Sequence, residues 1–62
     1  MTRTEALSLQ KYASKNGIRT TLCKPRDRNP VSWIVALDDT GFYHVSHRIV
    51  LERINLTINP HR

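Results

Sequence analysis

The chain has 62 residues, 39% of them hydrophobic and only four of them aromatic, and a domain this short buries only about 60% of the surface its unfolded form exposes. Burial then supplies roughly 3–5 kcal/mol, which argues against a free-standing enzyme with a deep pocket and leaves room for a partner or a homodimer. Ten Lys or Arg oppose five Asp or Glu, and the excess lies in one half: Met1 to Val31 carries seven cations against two acids, whereas Ser32 to Arg62 carries three of each.

The first predicted element is a helix from Arg3 to Lys15. Thr2 and Glu5 have the spacing of a capping box, and Asn16-Gly17 supplies a left-handed stop. At 100° per residue, Ala6, Leu9, Tyr12 and Ala13 gather on one side, while Thr4, Ser8, Lys11 and Lys15 gather on the other.

Ile18 to Lys24 alternates and is rich in β-branched residues, the pattern of a strand. Pro25-Arg26-Asp27-Arg28-Asn29-Pro30 has a proline at each end and nothing apolar between, which is loop chemistry. Val31 to Leu37 is the most strongly patterned strand, and Asp38-Asp39-Thr40-Gly41 suits a tight turn that returns Phe42 to Val45 as its hairpin partner. A three-residue bulged turn pairs Asp38 with Phe42. Trp33, Val35, Leu37, Tyr43 and Val45 then share the expected core face, and Ser32, Ile34, Ala36, Phe42 and His44 share the reverse face.

Ser46 is the expected N-cap of a second helix from His47 to about Asn55, with Val50, Leu51 and Ile54 inward. Ile54 to Ile58 also alternates with period two, so a strand is an open alternative for the tail, and Pro60 ends either element. The expected fold is a small two-layer α+β domain of order α-β-β-β-α, one unit over residues 1–62.

Two groups of residues are candidates for anion recognition. In the first, Lys24, Arg26 and Arg28 sit in the proline-bracketed loop, where restricted backbone freedom lowers the entropy lost on presenting guanidinium forks to phosphate. Lys11, Lys15 and Arg19 belong to the same half of the chain and are expected to converge with them. In the second, Ser46, His47 and Arg48 place a hydroxyl, an imidazole and a cation at a helix N-terminus.

A helix, a basic hairpin loop and a second helix with a polar start resemble double-stranded-RNA-binding domains in element order. That resemblance implies contacts from the first helix, the hairpin loop and the second helix N-terminus. Where those domains carry a lysine cluster, only Arg48 follows Ser46-His47 here.

His44 and His47 have an H-x-x-H spacing, yet no Cys or carboxylate near them in sequence completes a ligand set, so neither metal nor cofactor is expected. Paired carboxylates, a nucleophile with its base and a glycine-rich phosphate loop are all missing, so no catalytic residue is assigned. Cys23 has no partner for an intramolecular disulfide, no apolar run approaches the ~18 residues of a spanning helix, and the first ten residues lack a secretion signal's apolar core. These features point to the cytoplasm.

The function expected from the sequence is nucleic-acid binding, DNA or RNA, mainly through the phosphate backbone and with low sequence specificity, using Lys11, Lys15, Arg19, Lys24, Arg26, Arg28 and Arg48. The alternative is a short accessory protein of phage or mobile-element type that docks on a host protein through Ile34, Phe42 and His44.

Overall fold

A computed structural model of the chain describes residues 1–59. Helix α1 spans Arg3–Lys15, and strands β1 (Thr20–Cys23), β2 (Ile34–Leu37) and β3 (Phe42–His44) follow, before helix α2 (His47–Ile58). The strands form one antiparallel sheet of order β1-β2-β3. This is the α-β-β-β-α architecture expected. The expectation that Pro60 ends the last element lies outside the described residues.

Local signals set both ends of α1. The Thr2 hydroxyl accepts from the Glu5 N–H while the Glu5 carboxylate accepts from the Thr2 N–H, closing the capping box. At the other end Gly17, at φ +78°, donates to the Ser14 carbonyl and Ile18 donates to the Ala13 carbonyl, the paired bonds of a Schellman stop. Ile18 and Ala13 are both buried there, so the cap also fixes how the chain leaves the helix for β1.

Ala6, Leu9 and Ala13 of α1 meet Val50 and Ile54 of α2 over the sheet residues Val35 and Leu37, with Leu22, Trp33 and Phe42 packed against this core. α1 lies over β1 and β2, α2 lies over β3, and the helices touch each other. Both helices therefore cover the same sheet face. Tyr12, expected inward, is at the rim and 38% exposed, and its hydroxyl donates to Asn55 Oδ1 at 2.6 Å, joining the helices.

The tail is helical through Ile58, three residues beyond the expected end. Val50 and Ile54, one turn apart, are fully buried and Ile58 packs on the same core. Tertiary burial along a helical stripe outweighs the local alternation of Ile54 to Ile58.

The β2–β3 turn differs from the expected one by a single residue. Leu37, not Asp38, pairs with Phe42, and Ala36 pairs with Tyr43, so the turn has four residues, closed by the Gly41 N–H donating to the Leu37 carbonyl with Gly41 at φ +68°. A one-residue slip exchanges the faces of a strand. Phe42 and His44 accordingly lie on the helix-covered side with Leu37 and Val35, whereas Tyr43 is on the open side and 68% exposed. Val45, also expected in the core, is 43% exposed.

β2 begins three residues later than expected. The backbone N–H of Ser32 donates to the Asn29 carbonyl and that of Val31 to Asn29 Oδ1, drawing both residues into the loop, while Trp33 donates to the Met1 carbonyl. β1 is likewise shorter at each end, and at its start this is because Ile18 completes the helix cap.

Candidate nucleic-acid interface

The sheet face turned away from the helices carries Thr21 and Cys23 of β1, Ile34 and Ala36 of β2 and Tyr43 of β3. Thr21, Ala36 and Tyr43 form one rung across the three strands, and Cys23 and Ile34 form part of the next. Thr21 and Cys23 are exposed, Ile34 and Ala36 half-buried. No element of the described chain covers this face.

The loop between β1 and β2 forms the rim. Lys24, Pro25, Arg26 and Asp27, together with Ser32, border a shallow concavity floored by Cys23, Ile34, Ala36 and Tyr43. The rim thus sets two cations and one carboxylate beside an apolar floor that contains the most exposed aromatic side chain of the structure. Asp27 Oδ1 accepts from the Asn29 N–H at 3.1 Å, which curls the loop after the cations. Arg28 inside this curl adopts φ +59°, a left-handed conformation seldom taken by arginine.

The seven cations expected to contact phosphate do not form one surface. Lys11 and Lys15 lie one turn apart on the side of α1 opposite Ala6, Leu9 and Ala13, so they face away from the sheet. Arg19 follows at the same end of the molecule, where its carbonyl accepts from Asp38 at the β2–β3 turn. At the other end the Met1 amine donates to the carbonyls of Val31 and Val45, which gathers the start of α1, the base of the basic loop and the entry to α2. Lys24, Arg26 and Arg28 belong to that loop and Arg48 to that helix start. Alternation along sequence gave no hint of this division, since it depends on which ends of the elements meet.

The carboxylates do little to neutralise these groups. Among the described residues the one ion pair is Arg48 with Glu52, at 3.8 Å and solvent-exposed, an arrangement worth at most about 1 kcal/mol. Glu5 serves the helix cap, Asp27 the loop, and Asp38 accepts from the Thr21 hydroxyl at 2.8 Å.

At the start of α2, the Ser46 hydroxyl accepts from the Ile49 N–H at 3.5 Å, so the cap position is taken by the helix's own amide. His44 Nδ1 accepts from the Ser46 N–H at 2.9 Å, which gives this imidazole a positioning role at the β3–α2 junction. Its ring stacks near Phe42, with centroids 6.4 Å apart, and the Arg53 guanidinium covers the other ring system at 4.5 Å from the Phe42 centroid. The docking surface expected from Ile34, Phe42 and His44 is therefore divided, with Ile34 on the open side and the other two beneath α2. Among the described residues no three His, Cys, Asp or Glu side chains gather as a metal site, and no helix is long and apolar enough to cross a membrane.

Tyr43 is the residue that sequence reasoning misplaced and the structure makes prominent. The signal that identifies it is the length of the Asp38–Gly41 turn, because that length sets the register and with it which of two adjacent aromatics faces outward. Comparison with protein-family models, with curated proteins and with solved structures finds no match to this chain.

Proposed function

We propose that this protein is a small nucleic-acid-binding module that engages the phosphate backbone with low sequence specificity. The observation that carries this reading is the rim of the open sheet face, where Lys24 and Arg26 stand beside Tyr43 and, among the described residues, have no carboxylate at ion-pair distance. A cation at such a rim is available to phosphate, and each phosphate neutralised releases condensed counterion. The overall +5 charge adds long-range attraction. The exposed thiol of Cys23 fits a reducing cytoplasmic setting.

The test is affinity for oligonucleotides over a range of salt. Affinity is expected to fall steeply as salt rises. Lys24→Ala combined with Arg26→Ala is expected to weaken binding and to lower the slope of log affinity against log salt by about 1–2. Absence of binding to any oligonucleotide at low salt would overturn the proposal.

A further inference from the structure

Resting on that reading, we infer that the polynucleotide is single-stranded and that it lies across the open sheet face, with one base stacked on Tyr43 and the adjoining phosphates held by Lys24 and Arg26. The inference follows from the combination of groups at this face. Phosphate attraction alone requires only cations, which occur at both ends of the molecule. Here the cations border an apolar floor of Ile34, Ala36 and Cys23 beside which Tyr43 is 68% exposed.

A tyrosine this exposed is accessible to a stacking partner, and an unpaired base stacks on such a ring irrespective of its identity. The bases of an intact duplex are stacked on one another inside the helix. They cannot lie flat on a sheet unless the duplex is opened, which costs a few kcal/mol for each base extruded. The charge is also complementary: the rim contributes two cations against Asp27, and Arg28 follows immediately in the loop. Lys11 and Lys15, on the far side of α1, take no part in this site and supply general attraction only.

The experiment uses the full chain and fluorescence anisotropy with labelled oligothymidine, oligouridine and a mixed-sequence duplex. The expected result is tighter binding of the single strands than of the duplex, with the two single strands distinguishing DNA from RNA as the source of the ligand. Tyr43→Ala is expected to weaken single-strand binding about tenfold or more and to leave duplex binding unchanged, whereas Tyr43→Phe retains the wild-type affinity. Because Tyr43 lies outside the core, circular dichroism is expected to report the same fold in each variant.

Equal affinity for duplex and single strand, or single-strand binding unaffected by Tyr43→Ala, would overturn this inference while leaving phosphate-backbone binding in place. Failure to bind any of the three probes at low salt would overturn both. A dimer of the free chain that dissociates on Tyr43→Ala would assign the face to a second copy and likewise overturn the inference.

Discussion

Arg53 holds its guanidinium carbon 4.5 Å from the centroid of the Phe42 ring, so a cation on α2 closes the edge of the core above β3. Such a pair contributes about 0.5–1 kcal/mol when one side is open to solvent. Arg53→Ala is expected to lower the melting temperature by roughly 2–8 °C in a domain of this size. A double-mutant cycle with Phe42→Leu is expected to show coupling of similar magnitude, and zero coupling would mean that the two groups merely lie close together.

Thr20 Oγ1 is buried and has no hydrogen-bond partner among the described residues. A hydroxyl in that state costs about 1–3 kcal/mol relative to its hydrated form, and valine has nearly the same shape with a higher strand propensity. Thr20→Val is therefore expected to raise stability by about 1 kcal/mol, read as a higher urea midpoint at unchanged slope. A fall in stability would show that the hydroxyl finds a partner in solution.

The Thr2 backbone N–H that donates to Glu5 Oε1 holds this carboxyl below its ordinary range, against a smaller opposing effect of desolvation. A folded-state value below the unfolded one means that the unfolded chain binds more protons between the two. The contribution is therefore complete above the unfolded pKa and is lost as pH falls through the folded pKa. Glu5→Gln keeps a neutral acceptor at the capping position. Its stability deficit relative to the natural chain is expected to be larger at neutral pH than in acid, and a deficit independent of pH would remove Glu5 as a source of acid sensitivity.

Arg28 offers a direct separation of stability from binding. Its φ of +59° places a residue with a long, charged side chain where glycine is strain-free, at a cost of roughly 1–2 kcal/mol. Arg28→Gly is expected to leave thermal stability unchanged or raised, because relief of strain offsets the greater freedom of the unfolded chain. It is expected at the same time to weaken oligonucleotide binding. A loss of both stability and affinity would instead make the arginine a structural support of the loop.

The elements that were legible from sequence are those fixed by neighbours in the chain. Thr2, Glu5, Asn16 and Gly17 set the ends of α1 through bonds spanning three to five residues, and the proline-bracketed loop needed no distant contact to be recognised. Facing of β3 was a different kind of problem. Phe42 and Tyr43 are both suited to a core, and the decision came from the four-residue turn together with Arg53, eleven residues further on, settling over Phe42. Helical continuation to Ile58 depended in the same way on what α1 offered to Val50 and Ile54. The basic residues were identifiable individually, but their separation into two groups required knowing that Met1 meets Val31 and Val45.

β3 is only three residues long and the sheet has only three strands, so the platform is roughly 10 Å wide. That is room for about two bases, fewer than a four-stranded sheet accommodates. On the proposed reading, one copy gains little free energy per encounter and is expected to release its strand quickly. Lasting coverage would have to come from several copies arrayed on the same polymer, where local concentration supplies what each small footprint lacks.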